Sequence, residues 1–185
     1  MPNQIACIAG LCGAGKSVVS QYFIQAGFQY VHIGKITLDI LKERELAINE
    51  TNERRIREEL RQKHGMAAYA LLNLDKIEKL SLDHHVVADG LYSFSEYQVF
   101  KKHFTSRCCV VAVYAPPELR YQRLMMRPDR PLSPEESQER DFSEIQHLEK
   151  GGPIAMADIT LLNTQDFEYI EKQCKEAIDA IQRRK

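Results

Sequence analysis

The 185-residue sequence has almost no net charge: 25 Lys and Arg stand against 26 Asp and Glu, a formal charge of −1. That balance argues against bulk attraction to nucleic acid or to an acidic membrane surface. Apolar runs of the roughly 20 residues that span a bilayer are also missing. No basic segment followed by a secretory apolar stretch precedes the first predicted strand, so the expected location is cytoplasmic. The five cysteines (Cys7, Cys12, Cys108, Cys109 and Cys174) form neither a C-x-x-C pair nor a Cys/His ligand set, which argues against structural zinc. Cys7, Cys108 and Cys109 fall in predicted strands and read as small core residues. Cys12 reads as a variable loop position. Internal repeats and low-complexity segments are absent, and a 44% hydrophobic content suffices for the core of a single domain spanning residues 1–185.

What is present is a phosphate-binding pattern. Gly10-Leu11-Cys12-Gly13-Ala14-Gly15-Lys16-Ser17 fits G-x-x-x-x-G-K-[ST] with no substitution at a fixed position. The apolar run Ile5 to Ala9 before it predicts a buried strand, and Lys16 to Ala26 predicts a helix, which is the context the motif needs. The glycines free the backbone so that successive N–H groups converge on phosphate oxygens, and the helix N-terminus adds partial positive charge. Lys16 is placed to reach the β- and γ-phosphates and Ser17 to ligate Mg²⁺. The implied ligand is a nucleoside triphosphate, with ATP and Mg²⁺ as the expected cofactors.

The remaining elements alternate as in an α/β sheet. Phe28 to Val31 predicts a second strand. A long helical stretch follows from about Gly34 to Leu80, broken near Asn49 to Asn52 and near Gly65, with Thr51 as N-cap of a helix from Asn52 to Lys63. His85 to Gly90 predicts a third strand and Cys108 to Tyr114 a fourth, apolar almost without break as a central parallel strand should be. Pro117 opens a helix reaching about Met126. Ser133-Pro134-Glu135-Glu136 starts another as a capping box, which Gly151-Gly152-Pro153 is expected to end. Asp158 to Leu162 is a fifth strand and Phe167 to Arg183 a closing amphipathic helix. Such a doubly wound sheet binds its ligand at the carboxyl ends of the strands.

Two further features carry chemistry. Asp89 ends an apolar strand, where its carboxylate can hold Mg²⁺ opposite Ser17. Arg120, Arg123, Arg127, Arg130 and Arg140 crowd around a proline-rich loop, and phosphoryl transfer needs cations on the transferring group and a cover that excludes water. Arg120 reads as structural, whereas Arg127 and Arg130 lie in the loop itself. The alternative is a solvated face in which Glu118, Glu135, Glu136 and Glu139 pair with these arginines. The pair His84-His85, and His147, lack ligand spacing and are set aside.

These motifs, with the run Val111 to Arg120, the pair Arg140-Asp141 and Ala157-Asp158…Asn163, resemble the P-loop nucleoside/nucleotide kinases over nearly the whole chain. The similarity is greatest to a dephospho-CoA kinase-like, adenylate-kinase-related branch. The resemblance implies a three-layer α/β P-loop NTPase fold with a five-stranded parallel sheet in the order 2-3-1-4-5. It also implies an acceptor-binding helical region over residues 32–81, a lid over residues 127–141, and transfer of the ATP γ-phosphate to a small acceptor. By position, Lys16, Ser17 and Asp89 serve phosphate and Mg²⁺, Arg123 and Asn163 join Gly10, Gly13, Ala14 and Gly15 on the nucleotide, and Arg127, Arg130 and Arg140 serve the transition state. The sequence departs from the pattern at Lys35 to Asp39 and at Tyr92, where residues expected to hold an acceptor phosphate are replaced. Lys35 can substitute only as a point charge. A slow ATPase or nucleotide-dependent switch is the competing expectation. The expected partners are ATP and a small-molecule acceptor, without nucleic acid or membrane, in a monomer or homodimer.

Overall fold

Strands buried on both faces require apolar residues at every position, and the runs at Ile5–Ala9 and Cys108–Tyr114 supply them. In the computed structural model, which describes residues 2–184, they are β1 (Ile5–Ala9) and β4 (Cys108–Tyr114) at the centre of a parallel sheet. With β2 (Gln29–His32), β3 (Val86–Asp89) and β5 (Ile159–Leu162), the order is β2-β3-β1-β4-β5, as expected. The helices among the described residues are α1 (Lys16–Gln25), α2 (Lys35–Glu43), α3 (Glu50–His64), α4 (Ala68–Ser81), α5 (Phe94–Phe104), α6 (Pro117–Met125), α7 (Pro134–Gln146), α8 (Gly151–Ala155) and α9 (Phe167–Gln182).

Side chains alternate across each strand, and the core divides accordingly. Ile5, Cys7, Ala9, Val86 and Ala88 face a layer containing Leu41, Ile56, Tyr69, Ile77 and Phe100. Ala6, Ile8, Val87, Val111 and Val113 face Val19, Phe23, Ile170 and Ile178 on the other side. The register sets Asp89 beside Ile8 on one flank and His32 on the other. The last residues of β1, β2 and β3 therefore form a single ledge from which the glycine loop departs.

Three local expectations are corrected. The N-cap of α3 is Asn49 rather than Thr51: its side chain accepts a 2.9 Å hydrogen bond from the Asn52 N–H, placing Glu50 and Glu53 in the first turn against the helix dipole. His85 precedes β3 instead of belonging to it, since its Nδ1 accepts from the Gln4 N–H at 2.9 Å and its ring stacks on Phe28. Gly151-Gly152-Pro153 begins α8 rather than ending α7, which stops at Gln146. A Cβ on Gly152 would lie 2.6 Å from the Phe94 ring, so glycine there serves close packing of α8 on α5.

Candidate functional site

The loop between β1 and α1 is built around three glycines with positive φ, Gly10 at 149°, Gly13 at 79° and Gly15 at 97°. Its floor is held from behind. Arg120, 3% exposed, donates to the Cys12 carbonyl at 3.1 Å and makes a bidentate pair with the buried Asp141 at 2.8 and 2.6 Å. Tyr121 donates its hydroxyl to the same carboxylate. From the other side Asn163, at the end of β5, donates its Nδ2 to the Ala14 carbonyl at 2.9 Å. Asn163 thus fixes the loop backbone, and Arg120 is a structural anchor.

Lys16 folds back on this loop, its ammonium donating to the Gly10 and Leu11 carbonyls at 2.9 and 3.1 Å. As a residue it is only half-buried, but the ammonium is enclosed. Burial, and after it the charge of Lys150, lowers its pKa to about 8. Such a group gains from an arriving anion.

A cleft of about 300 Å³ opens above the loop. Gly13, Gly15, Lys16 and Ser17 form one wall, His32, Asp89, Gly90 and Tyr92 the opposite one, and Arg123 and Arg127 overhang it. Arg123 donates to the Asn163 carbonyl at 3.0 Å, yet its Nη1 is buried without a partner and no carboxylate pairs with it among the described residues. Burial pushes its pKa down. A cation kept unpaired at a cleft mouth is a site for an anionic ligand. Arg130 and Arg140 do not line the cleft: Arg130 reaches Glu53 of α3 at 3.0 Å, and Arg140 lies 3.4 Å from Glu144. A larger hollow of about 660 Å³ lies along α9, but a single helix face bounds it and nothing encloses a ligand there.

Asp89 is buried, and its Oδ2 accepts the Tyr30 hydroxyl at 3.2 Å. Burial and this carboxylate push the Tyr30 phenol up to about 12, and burial together with Asp89 raises the Tyr92 phenol further. The residues fit Mg²⁺, which takes one or two protein oxygens and fills its remaining positions with phosphate and water. Ser17 and Asp89 share the cleft, and the described residues contain no cluster of three ligands that would suit another metal. Of the positions where the sequence departs from the resembled pattern, Lys35 is exposed and paired with Asp39 at 2.6 Å, while the Tyr92 hydroxyl stands 3.5 Å from the His32 Nε2.

Sequence reasoning missed the charged groups beside Tyr92. Lys150, 2% exposed, donates to Glu144 at 2.8 Å and lies 5.4 Å from the centre of the Tyr92 ring. Glu96 is fully buried, and its Oε2 accepts the Tyr92 N–H at 2.7 Å. Burial raises the Glu96 carboxyl to about 7. The available signal was the pair Glu149-Lys150 before Gly151-Gly152, which no motif singles out.

The sheet order, the glycine loop between β1 and α1 and the acid closing β3 define a three-layer α/β P-loop fold. Residues 7–143 match the AAA domain family AAA_18. The UPF0200 protein TK1334 of Thermococcus kodakarensis is 34% identical over 182 residues, covering 96% of this chain and 98% of its own length. The chain belongs to this family of AAA-domain UPF0200 proteins. Among solved structures, a shikimate kinase from Bacteroides thetaiotaomicron superposes with a TM-score of 0.62 at 13% identity, over 97% of this chain and 98% of that one. A dephospho-CoA kinase from Campylobacter jejuni does so at 0.56 and 19%, over 97% of each. Both likenesses are of fold.

Proposed function

We propose that the protein is an ATP-dependent small-molecule kinase that transfers the γ-phosphate to a nucleotide, nucleoside or dephospho-CoA-like acceptor. The observation that carries this reading is the convergence of Lys16, Ser17, Asp89 and the unpaired Arg123 on one cleft. In this reading the loop N–H groups and Lys16 bind the polyphosphate, and Arg123 and Arg127 neutralise charge developing on the transferred group. Asp89 orients the acceptor hydroxyl, its own orientation set by Tyr30. Mg²⁺ held by Ser17 and Asp89 would supply further charge neutralisation between the phosphates. The loop after α6 and helix α7 act as the lid, and the exposed Arg130–Glu53 bridge ties that lid to the acceptor helices. Arg140 is its remaining cation. Catalysis by such a site is positioning and electrostatics.

The test is incubation with ATP and Mg²⁺ in the presence of nucleosides, nucleotides and dephospho-CoA, followed by ³¹P NMR. A phosphorylated acceptor is the expected product. ATP turnover giving free phosphate with every acceptor would instead favour the slow ATPase or switch, a reading supported by the neutralised Lys35 and by Tyr92 on the acceptor wall.

A further inference from the structure

We propose that Lys150 is a second working lysine of the phosphate site, its ammonium charge serving the bound polyphosphate from beside Tyr92. This inference rests on the reading of the cleft as a triphosphate site. Lysine is rarely buried without a compensating reason, because desolvating an ammonium costs several kcal/mol. Lys150 is 2% exposed, at the junction between α7 and α8. Its one carboxylate partner is Glu144, at 2.8 Å, and that carboxylate is shared with Arg140. Its ammonium lies 5.4 Å from the centre of the Tyr92 ring, and Tyr92 lines the cleft.

The charges around it are unbalanced. Lys16, Arg123 and Arg127 line the cleft and Lys150 lies against the Tyr92 ring, whereas the acids near them are Asp89, which lines the cleft, and the shared Glu144. Glu96 stands close by, but burial raises its carboxyl to about 7, so at neutral pH it holds only part of a charge. The field of Lys150 reaches Lys16, where it is the largest influence after burial itself. Two enclosed lysines repelling one another are unfavourable in an empty cleft and favourable once a polyanion lies between or beside them. A purely structural pair, tying the α7–α8 junction to the sheet, would need no position against a ring that lines the cleft.

The experiment compares wild type, Lys150→Met, Lys150→Arg and the double variant Lys150→Met/Glu144→Gln. Calorimetry measures the affinity for a non-hydrolysable ATP analogue with Mg²⁺ and for AMP, and thermal unfolding is followed without nucleotide. Lys150→Met is expected to weaken the analogue roughly tenfold or more and AMP far less, since the lost attraction scales with ligand charge. Lys150→Arg should keep most of the affinity. The double variant removes the buried pair as a unit, so its melting temperature should recover towards wild type while the analogue stays weak. It also carries the test if Lys150→Met alone does not fold. Wild-type affinity in folded Lys150→Met or in the double variant, or equal weakening of analogue and AMP, overturns the inference and leaves the triphosphate reading standing. Failure of the wild type to bind the analogue overturns both.

Discussion

Replacing Gly15 by alanine tests the geometry of the loop. Gly15 has φ 97° and ψ 24°, and a Cβ there would lie 2.1 Å from the Asn163 Nδ2. The left-handed conformation itself costs about 1–2 kcal/mol for a residue with a Cβ. The clash is larger in consequence, because Asn163 must withdraw and release the 2.9 Å hydrogen bond that holds the Ala14 carbonyl. Leaving that buried carbonyl without its donor costs about 1–3 kcal/mol, so the expected loss is about 2–5 kcal/mol in urea unfolding. The loop N–H groups shift with it, and calorimetry should find triphosphate affinity down by about tenfold or more, as one misplaced interaction of about 1.4 kcal/mol would give. Gly65→Ala is the control, since it has φ 77° but open space around it. With ψ −176° its backbone lies in a region open essentially to glycine, so the change should cost about 1–3 kcal/mol and leave affinity unchanged. Asn163→Ala combined with Gly15→Ala should destabilise by less than the two changes summed, because the clash is counted once. A Gly15→Ala protein with wild-type stability and affinity would refute the account of the loop.

Three other outcomes follow from the site. Glu96 is raised from 4.5 to about 7 in the folded chain, so the native state binds more protons between those values and this group's contribution to stability falls as pH rises through that window. Glu96→Gln removes this slope: in urea unfolding from pH 4.5 to 8, its advantage over wild type should grow by about 3 kcal/mol up to pH 7 and then level off, and a pH-independent difference would contradict it. Asp141→Ala leaves the Arg120 guanidinium buried without its carboxylate and should cost about 3–5 kcal/mol in the same measurement, with exposed Arg54→Ala as a nearly neutral comparison. Tyr92→Phe keeps the ring that faces Lys150 and removes only the hydroxyl near His32. It should leave analogue affinity within about twofold, since every direct phosphate donor remains, while changing acceptor turnover in the NMR assay.

The donor half of the cleft was legible in the sequence because its information is local. Eight consecutive residues encode the glycine loop, and Asp89 is readable as the last residue of an apolar strand whose register then sets it beside Ile8. The arginines were only half legible. Spacing gathered them near one loop, but which remain unpaired depends on acids far along the chain. Arg130 meets Glu53 across 77 residues, and Arg120 meets Asp141 in the interior, whereas Arg123 meets no acid and is left facing the cleft. Lys150 was invisible for the same reason: nothing in its neighbours marks a lysine for burial until α7 brings Glu144 and β3 brings Tyr92.

The distribution of charge within the cleft bears directly on which acceptor it takes. Lys16, Arg123 and Arg127 are gathered where a polyphosphate would lie, whereas the opposite wall is made of His32, Asp89, Gly90 and Tyr92. Lys35 is held by Asp39 in the exposed first turns of α2. A wall of rings and one carboxylate recognises hydroxyl groups and flat or apolar surfaces, and it gives an anionic group no direct counter-ion. Lys150 lies 5.4 Å from the centre of the Tyr92 ring. If the protein is the kinase proposed above, donor affinity and acceptor choice are separable by substitution: the first follows the lysines and Arg123, the second follows Tyr92 and His32. Acceptors that present a hydroxyl on an uncharged body fit the wall better than those whose phosphate would have to face Asp89, and a panel graded by acceptor charge exposes that preference as a gradient.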